Sequence, residues 1–142
     1  MIKAVVDANV IISAVIAPLG SPRRVYDAWR EGRFVLVTSP AIMEEVARKL
    51  LHPKIRQRYA VSDEEREGVL SLLRGQSEMT AGAAEVHPGS RDPDDDRVIA
   101  AALEAQADFV VTGDSDLLTL GTYRGIPIVS PAEFLQQLQA ED

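Results

Sequence analysis

The chain has 142 residues, 46% of them hydrophobic and none of them cysteine, with a formal net charge of −7. That length falls in the ~100–200-residue range of single domains and predicts one unit over 1–142. The absence of thiols excludes disulfides, iron–sulfur clusters and thiolate zinc sites, which makes the cytoplasm the expected compartment, and two histidines (His52 and His87) are too few for a His-rich metal centre.

The first apolar run, Ala4–Val6, predicts a buried strand. Lys3 and the apolar residues up to Ile16 also have the outline of a signal peptide, but Asp7 and Asn9 interrupt the segment that would have to be uncharged. No stretch approaches the ~20 apolar residues of a membrane helix, so no membrane partner is expected. Val25, Ala28 and Trp29 give Pro22 to Arg33 a helical spacing. Phe34–Val37 predicts the second strand. Ser39-Pro40 then starts a helix, with an N-cap followed by proline at its first position, and this helix continues through Ile42, Met43, Val46 and Leu50. Further helix is predicted from Pro53 to Leu73, with Ser62-Asp63 as an internal start. Gly75–Arg91 lacks periodicity and is expected to be a loop with one short strand around Glu85–His87. Asp94 to Gln106 predicts an alanine-rich amphipathic helix, Phe109–Val111 and Pro127–Val129 two more strands, and Ser130-Pro131 a last helix containing Phe134, Leu135 and Leu138. Short strands without alternation suit a parallel sheet covered on both faces. The order of elements predicts a three-layer α/β/α sandwich with a central parallel sheet.

Charge is concentrated late in the chain. Between Asp92 and Asp116 there are eight acids and one base, Arg97, which accounts for the entire net charge. A solvated surface is the plain explanation. A cation site is the sharper one, because clustered carboxylates repel unless a metal ion or protons relieve them.

Open parallel sheets bind ligands beyond the carboxyl ends of their strands. Asp7 directly follows the first strand, and Asp114 follows Phe109–Val111 in the turn Thr112-Gly113-Asp114. If those strands are neighbours, both acids reach one edge; either acid alone could be a helix N-cap. Asp94, Asp95 and Asp96 open the alanine-rich helix, where acids gain ~0.3–1 kcal/mol each from the helix dipole. Asp95 lies three, four and seven residues before Val98, Ile99 and Ala102 and shares their buried face, whereas Asp96 is turned about 100° away. Glu44 and Glu45 each have a basic residue four positions on, Arg48 and Lys49, and spacing does not choose between them.

Taken in order, V-V-D7-A-N9-V-I-I-S-A, S39-P-A-I-M-E-E45-V, D92-P-D-D95-D-R-V-I-A-A-A and D108-F-V-V-T112-G-D114-S-D116-L-L resemble a PIN domain. The branch most similar comprises toxin components of toxin–antitoxin systems related to VapC ribonucleases. The resemblance implies a parallel sheet flanked by helices and an acidic pocket holding Mg²⁺ or Mn²⁺. It places the family's acids on Asp7, Glu45, Asp95 and Asp114, with Asp116 as an additional acid, and so selects Glu45 over Glu44. Asn9 and Thr112 match supporting polar positions, and Asp96 is the alternative to Asp95.

The resemblance further implies an RNA substrate, an inhibitory antitoxin protein and homodimer formation. In that reading Asp7, Asp95 and Asp114 hold the metal, and Glu45 positions or deprotonates the attacking water. Oxygen donors without His or Cys suit Mg²⁺ or Mn²⁺ better than zinc. Arg48, Lys49, Lys54, Arg56 and Arg58, with no acid between Val46 and Ser62, form an expected phosphate-tracking rim, or else ordinary helix surface. Arg23, Arg24, Arg30 and Arg33 line a second basic helix. Two other classes compete: a PIN-like module that binds RNA or protein without cutting, and an acidic-pocket phosphatase or receiver domain with Asp7 as nucleophile. The last lacks the second acid that an Asp-x-Asp phosphatase needs, since position 9 is Asn.

Overall fold

The computed structural model describes residues 1–84, 86 and 93–141. β1 (Lys3–Val6) turns at Asp7 into α1 (Ala8–Ile16), and α2 (Ser21–Arg30) follows with Pro22 in its first turn. β2 (Val35–Thr38) leads into α3 (Pro40–Leu50), where the Ser39 hydroxyl accepts from the Ile42 N–H and Pro40 needs no donor of its own. The long helical stretch divides into α4 (Pro53–Tyr59) and α5 (Asp63–Gln76). Ser62 and Glu65 close a reciprocal capping box at the start of α5. The remainder runs β3 (Glu78–Met79), α6 (Pro93–Ala105), β4 (Phe109–Val111), α7 (Ser115–Leu120), β5 (Thr122–Tyr123), β6 (Ile126–Val129) and α8 (Pro131–Glu141).

Four of these elements carry no periodic signal in the sequence: α1, β3, α7 and β5. The stretch expected to be a loop contains the end of α5 and the two residues of β3. The short strand expected around Glu85–His87 falls outside the described residues, apart from buried Val86. Asp92 and the Asp94 side chain also lie outside them.

The sheet has the order β3-β2-β1-β4-β6-β5. All neighbours pair parallel except β5, which folds back on β6. The sheet is therefore mostly parallel, with one antiparallel edge strand that the sequence reading lacked. Helices flank it to give the three-layer α/β/α sandwich: α6 packs across β1, β2 and β4, while α8 packs against β4 and α2. Parallel pairing hides both faces of the short strands, which is why Val5, Val37 and Val110 are fully buried. Phe134 of α8 is also fully buried and meets Phe34 and Phe109 edge-on, with ring centroids 4.9 and 5.7 Å apart. Such pairs add about 0.5–1.5 kcal/mol beyond the area they bury. In α6, Ala100, Ala101, Ala102 and Ala105 are buried beside Val98 and Ile99. Small side chains let this helix lie close against the sheet.

β1 is the strand from which the order departs in both directions: β2 and β3 lie to one side, β4 and β6 to the other. The switch point of the sheet thus falls between β1 and β4, where the carboxyl ends of adjacent parallel strands open a crevice.

Candidate functional site

The crevice is built from the first residues beyond β1 and β4. The Asp7 N–H donates to the Val111 carbonyl at 3.0 Å, so the β1–β4 ladder continues one step past β1. This brings Asp7 beside Thr112, the residue after β4. Thr112 is fully buried, and its hydroxyl donates to Asp7 Oδ2 at 2.8 Å while accepting the Asp114 N–H at 3.0 Å. A hydroxyl offers one donor and two acceptor positions, so one side chain can tie both strand-end acids together.

Both acids also cap helices. Asp7 Oδ1 accepts the Asn9 N–H at 3.2 Å at the start of α1. Asp114 Oδ1 accepts the N–H groups of Asp116 and Leu117 at 2.8 and 3.2 Å at the start of α7. The capping role does not exhaust either side chain, because each carboxylate has about four lone-pair positions.

Asp7 is 5% exposed. Burial pushes its carboxyl above the ordinary value of 3.8; the bonds from Thr112 and Asn9 pull it down, the Asp114 charge pushes it up, and the Lys49 charge pulls it down. Burial outweighs the hydrogen bonds. An ionised Asp7 is therefore held at a cost that a nearby cation would relieve.

Glu45 and Glu44 part company on α3. Glu45 is 5% exposed and Glu44 is solvent-exposed. The Lys49 ammonium donates to Glu45 Oε2 at 3.4 Å and to Asn9 Oδ1 at 2.9 Å, linking α3 to the start of α1. Asp95 is 3% exposed on α6. The turn from α6 into β4 sits beside the start of β1, where the Asp108 N–H donates to the Lys3 carbonyl. α6 packs across β1, β2 and β4, so Asp95 lies on the helix that covers the strands leading into Asp7 and Thr112. Asp96 is partly buried, and its Oδ1 has no hydrogen-bond partner among the described residues. Asp116 is exposed.

The structure thus links Asp7, Asn9, Glu45, Thr112 and Asp114 through direct bonds and through Lys49. Among the described residues, no three Asp, Glu or His side chains are gathered closely enough to form a ready cage for a metal ion. The donor chemistry nevertheless fits a hard divalent ion: the acids are all oxygen donors, Asp7 is buried, and Asp114 adds charge of the same sign beside it.

The basic residues separate. Arg48, Lys54 and Arg58 are exposed, and Arg58 lies over the Tyr59 ring at 5.4 Å. Arg56 is paired with Asp63 at 2.8 Å. Lys49 turns toward the acids. Its place was legible in one respect: a lysine four residues after an inward-facing glutamate shares that glutamate's helix face. Thr112, expected as a supporting residue, is the bridge between the two strand-end acids. Tyr26 packs into the core against Trp29, with ring centroids 5.6 Å apart, and is only 8% exposed.

This fold agrees with the comparisons to known proteins. The family profile of the PIN domain matches residues 3–116, a span that reaches from β1 to Asp116, and the chain belongs to the PIN-domain family. It is 34% identical over 151 residues to an uncharacterized protein, MJ1680, from Methanocaldococcus jannaschii, covering 97% of this chain and 92% of that one. Its fold is similar to that of a chain in the crystal structure of VapBC2 from Rickettsia felis bound to a DNA fragment from their promoter. There the TM-score is 0.61 at 11% identity, over 91% of this chain and 98% of that chain. At that identity the likeness is one of fold.

Proposed function

We propose that this protein is a Mg²⁺- or Mn²⁺-dependent endoribonuclease that works from the crevice between β1 and β4, and that it is the toxin of a cytoplasmic toxin–antitoxin pair. The observation that carries the reading is the Thr112 bridge between Asp7 and Asp114 at the sheet's switch point. Membership of the PIN-domain family supports nuclease chemistry there. The likeness to a VapBC2 chain supports a protein antitoxin as partner.

Asp7, Asp95 and Asp114 would hold the ion, with Asp116 as a further acid and Asp96 as the alternative to Asp95. When bound, the ion supplies Lewis-acid charge that favours ionisation of a water and neutralises the phosphodiester oxygens. The remaining work belongs to the side chains. Buried Glu45 accepts the proton of the attacking water and holds that water in line. Thr112 fixes the Asp7 carboxylate through Oδ2, and Asn9 fixes it through the bond to Oδ1. Exposed Arg48, Lys54 and Arg58 attract the RNA backbone to an otherwise acidic molecule. A homodimer is part of the same proposal.

The test is cleavage of single-stranded and structured RNAs by the purified protein. Cleavage is expected with Mg²⁺ or Mn²⁺ and not in EDTA, and Glu45→Gln should slow it by about 10²–10⁴-fold. Cleavage that persists in EDTA would contradict the proposal. Saturable Mn²⁺ binding with no cut in any RNA would assign the chain to the non-cutting PIN modules instead.

A further inference from the structure

Lys49 is the base that the nuclease reading leaves without a role in the chemistry. Its side chain is 36% exposed, and it reaches from α3 toward α1, with Nζ 2.9 Å from Asn9 Oδ1 and 3.4 Å from Glu45 Oε2. Both contacts are to oxygen acceptors. Asn9 belongs to the turn capped by Asp7, and Glu45 is the buried acid of α3. The ammonium therefore ties α3 to the first turn of α1, the helix that begins at Asp7. Its charge offsets that of Asp7, whereas Asp114 adds charge of the same sign as Asp7 beside that carboxylate. Lysine suits such a post: it is a compact point charge on a flexible stem of four carbons, able to leave without moving the backbone. Its exposed flank gives it somewhere to go.

We propose that Lys49 is the resident cation of the metal-free pocket, holding Glu45 and Asn9 together until a divalent ion displaces it. The inference rests on the metal-dependent reading above. Two charges of the same sign cannot share a small acidic pocket without cost, so the ammonium competes with the ion. Displacement also removes the Lys49 contact from Glu45 Oε2 at the moment that Glu45 is needed to accept a proton.

Mn²⁺ binding without RNA tests this, read by electron paramagnetic resonance of the free ion. Lys49→Met should bind Mn²⁺ about tenfold more tightly than the wild type, because a competing charge is removed. Lys49→Arg, which keeps the charge, should stay closer to the wild type. In EDTA, Lys49→Met should melt at a lower temperature, since the acids lose their counter-charge. Should that variant fold poorly, Mg²⁺ titration of the wild type must shift the Lys49 Cε resonance as the side chain leaves. Unchanged or weaker Mn²⁺ binding by folded Lys49→Met overturns the inference alone, as does a Cε resonance that Mg²⁺ leaves in place. Absence of saturable Mn²⁺ binding in both wild type and Lys49→Met overturns the metal reading and this inference with it.

Discussion

The Asp7 carboxylate accepts a backbone N–H on one oxygen and the Thr112 hydroxyl on the other, and burial still raises its pKa. Thr112 is the cheaper of the two residues to probe, because valine keeps its shape and removes only the hydroxyl. Thr112→Val leaves Asp7 Oδ2 buried without its donor and the Asp114 N–H without its acceptor. The expected cost is about 1–3 kcal/mol, read from denaturant midpoints at constant slope. A change within about 0.5 kcal/mol would show that the bridge does not order the acids. Single residues were unevenly legible in the sequence. Asp7 and Asp114 could be placed at strand ends, because each follows an apolar run directly. Glu44 and Glu45 could not be told apart by spacing, since both flank the apolar stripe of α3; the fold buries one and exposes the other. Lys49 looked like one of a row of surface bases, and its partner Asn9 lies forty residues away in sequence.

At the scale of elements, legibility followed contrast. Strong caps and apolar runs marked β1, β2, α3, α5, α6 and β4. The helix α1 has only Asn9 and Ser13 to mark a polar face: Ala8, Val10, Ile11, Ile12 and Ala14 are all buried, so its pattern resembles a continuous apolar run. α7 spans six residues, and β3 and β5 two each, too short for any period to register. β5 exists because Arg124 and Gly125 both take positive φ, 48° and 84°, in the two-residue turn that folds Thr122–Tyr123 onto β6. One tertiary link at this scale can be tested. Glu104 of α6 accepts the N–H groups of Gly82 and Ala83 at 2.6 and 2.9 Å. Gly82 has φ +73°, and a Cβ there would lie 3.4 Å from that of Ser39. The clamp thus fastens the segment after β3 between α6 and the start of α3, the helices carrying Asp95 and Glu45. The Ala83 bond is the main cause that holds the Glu104 carboxyl below its ordinary value of 4.5. The contribution is therefore present at neutral pH and is lost as the pH falls through that lowered value. Glu104→Ala should speed hydrogen exchange of the Gly82 and Ala83 amides by roughly tenfold or more at neutral pH. Unaltered exchange would mean that other contacts hold the segment.

The whole molecule makes a site from residues that are far apart in the chain. The sequence predicts strands alternating with helices, and from them the layers, but crossovers permit several strand orders. The adjacency of β1 and β4, paired from Ala4–Phe109 to Val6–Val111, is a tertiary outcome that puts Asp7 next to Thr112. Of the acids concentrated late in the sequence, Asp114 comes beside Asp7 there, at the switch point, and the fold holds Asp7 as a buried carboxylate. The buried charge gives Asp7→Asn a distinctive expectation. An amide keeps a capping oxygen and carries no charge, and burial disfavours the charged form of Asp7. For an acid with a raised folded-state pKa, the penalty is fully present above that value and fades as the pH falls through it toward 3.8. At pH 7 without metal, Asp7→Asn should therefore melt no lower than the wild type, and the difference should shrink on acidification.

The most direct measurement is RNA cleavage by Asp7→Asn in Mg²⁺, with its melting temperature in EDTA read alongside. The account predicts a loss of roughly 100-fold or more in cleavage in a protein at least as stable as the wild type. Cleavage at the wild-type rate by the folded variant would contradict it.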